Sequence, residues 1–312
     1  MTGAVLTAGE TMALLDPAED VPPRAGTSYV LRAAEAESNF AVALARLGVD
    51  ARWVSRVGDD ALGVMVRNTL GDEGLDLTLV TVDPEAPTGL YLKYRDRGST
   101  AVAYYRRGSA ASRLSPVDVP DAALDGVDLV HLTGITLALS ASCRALVLDL
   151  ARRARERGIA VQFDPNYRPA LWASPEAAAE AQRPLLGLVD WYLCGSGEAS
   201  LLFGPSDERE LVASMRAAGI QRGVVRAESV GALVFTPENI VEVQPPRREQ
   251  SVLDEVGAGD AFAAGFALGV LRGRAPDECA RAGHVIAAHA LRGTGDWETL
   301  PRLDEVAAQL DT

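Results

Sequence analysis

The stretch that carries the most chemical information runs from Asp254 to Phe262 and reads DEVGAGDAF. Its small residues allow a ligand to approach the backbone closely. An apolar helix predicted over 261–271 would present free N–H groups and the positive end of its dipole there, which suits a phosphoryl group in transfer. Asp260, at the helix start, is placed to accept a proton from an attacking hydroxyl. The alternative is a tight turn with Asp260 as the N-cap, and the local pattern favours neither.

Arginines and tyrosines elsewhere in the chain suit an acidic or sugar-like ligand. Arg106 and Arg168 can bind carboxylate or phosphoryl oxygens through their fork of N–H groups, although isolated arginines are usually solvated surface residues. Arg168 follows a predicted buried strand at its carboxyl end, where ligands of doubly wound sheets collect. Arg107 is the next residue along a strand and would face the other way, so Arg106 is preferred. Tyr91 and Tyr105 offer a hydroxyl and a flat face, with core or lid packing as the equal alternative.

The elements that must position these residues alternate between strands and helices. From residue 127 onward the pattern predicts a strand over 127–132, a helix over 140–157, a strand over 159–163, a helix over 175–186, a strand over 191–193, a helix over 206–218 and a strand over 223–226. This alternation implies βαβ units and a largely parallel, doubly wound sheet. Earlier segments predict a first strand at 4–7 and a helix capped by Ser38 that stops at Gly48. A hairpin is predicted over 88–94 and 100–105.

Composition narrows the classes of function. The 312 residues carry a formal net charge of -13, with 48% hydrophobic residues, which is ordinary globular composition without an internal repeat or linker. The acidic excess argues against nucleic acid and anionic membranes as partners, but not against a small anionic ligand. The N-terminal residues lack the features of a signal peptide. Cys143, Cys194 and Cys279 show neither zinc-site nor disulfide spacing, so we expect reduced thiols in a cytoplasmic protein.

Two motifs resemble those of a known family. Leu253–Gly265 is similar to the C-terminal signature of the ribokinase-like (PfkB) carbohydrate kinases, whose usual form is Asp-Thr-x-Gly-Ala-Gly-Asp. Residues 41–63, AVALARLGVDARWVSRVGDDALG, resemble the N-terminal signature. The similarity extends over nearly the whole chain. It implies an α/β three-layer sandwich with a mostly parallel, doubly wound sheet, as a single domain over 1–312. It also implies a small β-lid, in segments of about 10–36 and 88–108, and phosphoryl transfer from ATP with Mg²⁺.

The resemblance assigns roles by motif match. Asp260 corresponds to the catalytic base, and Gly257, Ala258 and Gly259 correspond to the anion hole. Asn39 matches a sugar-contacting Asn, with a helix cap as its alternative. Glu198 matches a Glu that helps to hold Mg²⁺ and the phosphates, with a dipole-favoured Glu in a first helical turn as its alternative. Residues at positions implied to contact the nucleotide are Arg226, Gly231, Glu198 and His284, the last with a purely structural or peripheral place as its alternative.

Three stretches resemble 2-keto-3-deoxygluconate kinases in particular. They are YYRRGSAAS at 104–112, DPNYRPALW at 164–172 and GDWE at 295–298. The substrate that this implies is a sugar acid, phosphorylated on its terminal hydroxyl and oriented at its carboxylate by Arg106 and Arg168. The alternatives are a kinase of the same family for another sugar or a nucleoside, and a catalytically impaired ligand-binding protein on the same fold.

The sequence departs from the family pattern at ligand-facing positions. Ala34 and Glu35 stand where a Gly-Gly pair is usual, and a Glu that points at a sugar carboxylate would repel it. Glu228 replaces a usual Gly, and Glu255 replaces a usual Thr in the phosphate turn. These changes leave open an altered specificity, altered nucleotide handling or lost activity. Separately, Val102 and Tyr104 lie on one face of the predicted lid hairpin, which suggests a homodimer through the lid.

Overall fold

A nine-stranded sheet lies at the centre of the fold. The computed structural model describes residues 3–19, 21–96, 99–204, 207–227, 231–245, 256–293 and 295–310. Its strands are β1 (Ala4–Ala8), β2 (Met12–Pro17), β3 (Tyr29–Ala34), β4 (Asp50–Gly58), β5 (Val80–Asp83), β6 (Leu90–Asp96), β7 (Ser99–Tyr105), β8 (Val127–Thr133), β9 (Ala160–Asp164), β10 (Trp191–Gly195), β11 (Gly223–Ala227), β12 (Gly231–Phe235) and β13 (Ile240–Val243). The large sheet has the order β13-β12-β11-β10-β9-β8-β1-β4-β5, and its pairs are parallel except β11–β12 and β12–β13.

Helices cover both faces of this sheet. They are α1 (Ala36–Arg46), α2 (Ala61–Asp72), α3 (Gly134–Leu139), α4 (Ala141–Glu156), α5 (Pro175–Gln182), α6 (Ser196–Phe203), α7 (Glu208–Ala217), α8 (Ala258–Leu271), α9 (Pro276–Ala290) and α10 (Leu303–Leu310). Successive residues of a strand point to opposite faces, so Val5 packs in one core with Phe40 of α1 and Phe266 of α8, while Leu6 packs in another with Leu146 of α4. The predicted three-layer α/β sandwich with a mostly parallel sheet is confirmed.

A second, smaller sheet is built from β3, β2, β6 and β7 in that order. The pairs β2–β3 and β6–β7 are antiparallel, and β2–β6 is parallel. The predicted hairpin over 88–94 and 100–105 corresponds to β6 and β7. Among the described residues, none of the helices combines the length and the apolar character that crossing a bilayer requires.

Two predicted helix starts are wrong. Helix α1 begins at Ala36 and is capped by Glu35 rather than Ser38, because the Glu35 carboxylate accepts the N–H of Ala36 at 3.2 Å. The Glu35 φ of 173° is extended backbone, which any residue adopts, so no glycine is needed there. Helix α8 begins at Ala258, three residues before the prediction, because Gly257 caps it from the left-handed region at φ 77°.

Several short elements were not predicted, among them β2, β5, α3, α6 and α10. The eight-residue α6 is too short to show a clear helical period, and its SGEASLLF sequence begins with small and polar residues. The helix predicted over 206–218 begins at Glu208, with Asp207 as its cap. Glu228 and Glu255, two of the departures from the family pattern, lie outside the described residues.

Gly134 fixes the loop that follows β9 against the start of α3. A Cβ atom at Gly134 would overlap the carbonyl oxygen of Pro165, which is backbone and cannot move aside easily. We therefore expect Gly134→Ala to lower the free energy of unfolding by about 1–3 kcal/mol. The control is Gly187→Ala, because a Cβ there meets nothing within 4 Å. Chemical denaturation of both variants checks this, and equal stabilities would contradict the close contact.

Candidate active site

A cavity of about 460 Å³ lies at the carboxyl ends of β9, β10 and β11, between the large and the small sheet. Its lining from the large sheet and the following turns includes Asp164, Asn166, Tyr167, Arg168, Glu198 and Arg226. The small sheet contributes Met12, Tyr91, Lys93, Val102 and Tyr104. Helices α1 and α8 and the residues just before them contribute Glu35, Ala36, Asn39, Val256, Gly257, Gly259 and Asp260, and Asp296 comes from the segment between α9 and α10. Ligands of doubly wound sheets bind at this edge.

Asp260 lies in the first turn of α8 and is buried in the cavity wall. Its carboxylate accepts hydrogen bonds from Asn39 Nδ2 at 2.8 Å and from Asn166 Nδ2 at 3.2 Å. It therefore does not cap the helix, and the N-cap alternative is wrong. Burial raises the pKa of Asp260 to about 8, while the Asn39 bond and Arg168 oppose this rise. A carboxylate with a raised pKa in a cavity is suited to proton transfer.

The turn before Asp260 exposes backbone donors. The first intrahelical bond of α8 runs from Ala261 N to Gly257 O at 2.8 Å, so the amides that precede Ala261 have no partner within the helix. A Cβ on Gly257 would overlap the backbone oxygen of Asp296, so both the left-handed φ and the lack of space require glycine. Gly257 and Gly259 line the cavity, and Ala258 lies between them. The arrangement suits an anionic group.

Carboxylate and amide oxygen atoms, which can bind a metal ion, lie close together beside this turn. Glu198 accepts N–H bonds from Tyr167 and from Gly195, the latter at 3.3 Å. Burial, and next the charge of Asp164, raise the pKa of Glu198 to about 7. The Asn166 backbone N–H binds Asp164 Oδ1 at 2.8 Å, and Asn166 Oδ1 is a buried acceptor with no hydrogen-bond partner in the part of the chain that the structure describes.

Arg226 links Asp164, one of these oxygen-bearing residues, to the start of α8. Its guanidinium donates to Asp164 Oδ2 at 3.2 Å and to the carbonyl oxygen of Gly259 at 3.1 Å. The charge of Asp164 is thus shared with a cation, and the α8 turn is tied to the end of β9. Arg226, one of the residues at positions implied to contact the nucleotide, lines the cavity.

The two arginines expected to contact a carboxylate differ in their surroundings. Arg168 lines the cavity, and no carboxylate of the described residues lies within 4.0 Å of it. Arg106 is only 6% exposed and is not among the lining residues. Its Nη2 lies 2.6 Å from Glu10 Oε2 and its Nη1 lies 2.8 Å from Glu35 Oε2. The structure therefore brings Arg168 to the ligand space and gives Arg106 two protein carboxylates.

The tyrosine prediction requires a correction. Tyr91 lines the cavity, but Tyr105 is 64% exposed and is not among the lining residues. Tyr104 lines the cavity instead, opposite Tyr91 in the β6–β7 register, with the ring centroids 5.8 Å apart. Alternation along β7 explains this, because Tyr104 and Tyr105 must face opposite ways. Val102 and Tyr104, which suggested a dimer face, both line the cavity.

Gly231 and His284 lie apart from the cavity lining. A Cβ on Gly231 would lie 2.6 Å from the carbonyl oxygen of Val243, and His284 Nε2 lies 3.2 Å from the same oxygen. Burial lowers the pKa of His284. These two of the four residues at positions implied to contact the nucleotide therefore lie together at Val243, the last residue of β13.

Comparisons with known proteins identify the family of this chain. The pfkB family of carbohydrate kinases matches residues 4–303. The chain belongs to the pfkB family of carbohydrate kinases. It is 33% identical over 309 residues to a 2-dehydro-3-deoxygluconokinase of Bacillus subtilis, which covers 98% of this chain and 94% of that protein. A 2-dehydro-3-deoxygluconokinase of Thermoproteus tenax is 34% identical over 302 residues, 96% of this chain and 91% of that protein.

A solved structure is similar to this pfkB-family kinase over nearly its whole length. The aminoimidazole riboside kinase of Salmonella enterica, crystallised with aminoimidazole riboside and an ATP analogue, has a TM-score of 0.84 and 25% identity. It covers 98% of this chain and 99% of that chain. The kinase-named relatives and the family match together make this chain a carbohydrate kinase.

Some cavity residues of this pfkB-family kinase were not selected from the sequence. Lys93 and Asp296 form a buried pair at 3.6 Å, and Asp296 also accepts from Asn39 Nδ2 at 3.1 Å. Burial raises the pKa of Asp296 to about 6. Lys93 lies two residues from Tyr91 and so shares its strand face, a signal that the sequence contained. Asn166 and Asp296 stand inside the DPN and GDWE stretches but carried no assigned role.

The raised pKa of Asp260 predicts a specific dependence of stability on pH. The folded state binds this proton more tightly than the unfolded chain does, so the stabilisation is full below the unfolded pKa and is lost as the pH rises through about 8. Relative to Asp260→Asn, which cannot ionise, the wild type should lose on the order of 1 kcal/mol per pH unit between pH 5 and 8. The loss should level off above pH 8. Urea denaturation without ligands measures it, and a constant difference would contradict the raised pKa.

Proposed function

We propose that this kinase transfers the γ-phosphoryl group of ATP to the terminal hydroxyl of a sugar acid of the 2-keto-3-deoxygluconate type. The observation that carries the proposal is the buried Asp260 carboxylate beside the free amides of the α8 turn. The names of the Bacillus and Thermoproteus relatives support the acceptor, since 2-dehydro-3-deoxygluconate is the same compound under another name. The ATP analogue bound to the Salmonella relative supports the donor.

Asp260 acts as the base in this proposal. The acceptor oxygen bonds to the γ-phosphorus, the bond from that phosphorus to the bridging oxygen of ADP breaks, and the hydroxyl proton passes to Asp260. Asn39 and Asn166 hold the carboxylate in place through their amide N–H groups. The amides at Gly257, Ala258 and Gly259 stabilise the charge on the transferring group as it develops.

Mg²⁺ fits the oxygen donors near Glu198. This ion is held by one or two carboxylates together with phosphates and waters, and it prefers oxygen ligands. Glu198, Asp164 and the unpartnered Asn166 Oδ1 supply such a set. When bound, the ion neutralises phosphate charge. Within the described residues, no group of three or more His, Cys, Asp and Glu side chains is arranged to hold a metal ion by itself.

The acceptor lies between the two sheets in this proposal. Its carboxylate binds the guanidinium of Arg168, its carbon chain lies against Tyr91 and Tyr104, and its terminal hydroxyl reaches Asp260. The small sheet, in segments 10–36 and 88–108, serves as the lid of a single domain.

A homodimer through the lid stays a prediction. Val30 and Leu31 of β3 are exposed apolar residues on the small sheet. The described cysteines are buried and unpaired, which supports a reducing, cytoplasmic setting.

Removal of the base tests the proposed chemistry. We expect Asp260→Asn to keep the fold and to lower turnover by about 10²–10⁴-fold, because the amide cannot accept the proton. The matched control is Asp76→Asn, an exposed Asp outside the cavity. Release of ADP with saturating acceptor measures turnover, and near-normal turnover of Asp260→Asn would remove this residue from the role of base.

A substrate screen tests the acceptor. We expect purified protein with Mg-ATP to release ADP in the presence of 2-keto-3-deoxygluconate, and mass spectrometry to find one phosphoryl group on the terminal oxygen. Neutral hexoses, hexuloses and nucleosides are the comparison set. Turnover of a nucleoside in preference to every sugar would replace the sugar-acid proposal. Binding of Mg-ATP without product from any acceptor would favour the catalytically impaired alternative.

A further inference from the structure

Glu35 places a carboxylate of the protein at the edge of the acceptor cavity. It lines the cavity, and its Oε2 lies 2.8 Å from Arg106 Nη1. On the other side of the same guanidinium, Glu10 Oε2 lies 2.7 Å from Nε and 2.6 Å from Nη2. The Glu10 and Arg106 side chains are buried, and Glu35 alone of the three faces the ligand space.

The charges of this cluster sum to a negative value. One guanidinium faces two carboxylates, so the ionised triad of Glu10, Glu35 and Arg106 has a net charge of about -1. Glu37 is a further buried carboxyl nearby. Its Oε1 accepts hydrogen bonds from the hydroxyls of Thr133 and Thr136, which are neutral, so this residue brings no compensating positive charge. An acceptor carboxylate at Arg106 would therefore have to displace Glu35 or lie beside it, and the second arrangement is repulsive.

Arg168 offers the opposite situation. It lines the same cavity, and no carboxylate of the described residues lies within 4.0 Å of its guanidinium. Its N–H groups are thus available to a ligand without displacement of a protein group. Charge-assisted contacts between a guanidinium and a carboxylate are among the strong polar contacts, so an arginine without a protein carboxylate in contact is the better partner for an acid.

We propose that Glu35 is a specificity-determining residue: it acts as a built-in carboxylate ligand of Arg106, so that an acceptor's carboxylate is bound by Arg168 alone. The inference rests on the proposed function and deepens it. Its consequence is a weak preference for sugar acids over their neutral counterparts, because the charge of Glu35 opposes the acid and leaves a hydroxyl unaffected. Glu35 also caps α1 through the N–H of Ala36, so the test must separate charge from helix capping.

The test compares two acceptors that differ in one group. They are 2-keto-3-deoxygluconate and 3-deoxyfructose, in which CH₂OH replaces the carboxylate. We expect Glu35→Gln, which keeps the shape and the capping oxygen, to raise kcat/KM for the acid by about tenfold, mainly through a lower KM. The value for 3-deoxyfructose should stay within about threefold. A purely structural role would move both acceptors alike, and that result, or an unchanged acid value, would overturn the inference.

Two further variants sharpen the comparison. Glu35→Asp keeps the charge, so it should keep the weak preference of the wild type. Glu85→Gln removes the same charge from a Glu that pairs with Arg113 at 3.5 Å and does not line the cavity, so it should change neither acceptor. Thermal unfolding of each variant verifies the fold. A rise in acid turnover in Glu85→Gln equal to that in Glu35→Gln would assign the effect to net charge and refute the role of Glu35.

The outcomes separate the inference from the proposed function. If the wild type phosphorylates only the neutral acceptor and Glu35→Gln gains the acid, the proposed acceptor is wrong and the role of Glu35 stands. If neither acceptor is phosphorylated, the proposed function fails, and calorimetry with the two acceptors decides the inference. Tighter binding of the acid to Glu35→Gln than to the wild type then supports it. Equal binding, or no binding to either protein, refutes it.

Discussion

The site depends on a buried carboxylate that neutral amides hold in place. Asp260 receives Nδ2 hydrogen bonds from Asn39 of α1 and Asn166 of the loop after β9, and no cation of the described residues lies within 4.0 Å of it. A cationic partner in contact would lower the pKa of Asp260, whereas amide donors fix its position and allow burial to raise that pKa. The same two bonds join three separate parts of the chain at one point, so the geometry of the site and the packing of α1 against α8 are one constraint.

Ion pairs join the small sheet to the rest of the molecule around this point. Lys93 of β6 pairs with Asp296, Arg32 of β3 lies 2.7 Å from Glu298, and Arg106, just after β7, holds Glu10 and Glu35. The Lys93 and Arg106 pairs are buried, and loss of one partner in such a pair leaves an uncompensated charge, which is strongly unfavourable. The small sheet is therefore held against the cavity by ion pairs in which replacement of one partner alone is strongly destabilising. Only replacement of both partners together avoids a buried, unpaired charge.

The layers of the fold and the location of the site are predicted from the sequence more accurately than the side-chain contacts within the site. Alternating strands and helices after residue 127 specify the parallel sheet, and the carboxyl ends of its strands specify where Asp164, Glu198 and Arg226 meet. The start of α8 was misplaced because a left-handed glycine cap depends on the nearby Asp296 backbone, which is distant in sequence. Tyr105 and Arg106 are consecutive residues, and the alternation along a strand cannot turn both inward, so the prediction that both contact the ligand is inconsistent. The partners of Arg106 come from segments 96 and 71 residues away, which no local pattern records.

Most cationic side chains in and around the cavity are paired with protein carboxylates, which matters for how an acidic protein can bind an anion. With a net charge of -13, the chain opposes the approach of anions, and its cavity must attract them locally. Arg226 is engaged by Asp164, Lys93 by Asp296, and Arg106 by Glu10 and Glu35, so these cations mainly cancel protein charge. Among the described lining residues, this leaves Arg168 and the α8 amides to face an anion without a competing carboxylate in contact. Backbone amides bind phosphate by dipole and geometry rather than net charge, so they remain effective inside an acidic protein. Under the proposed function, selectivity at the acceptor end depends on the balance between the Arg168 guanidinium and the carboxylate of Glu35.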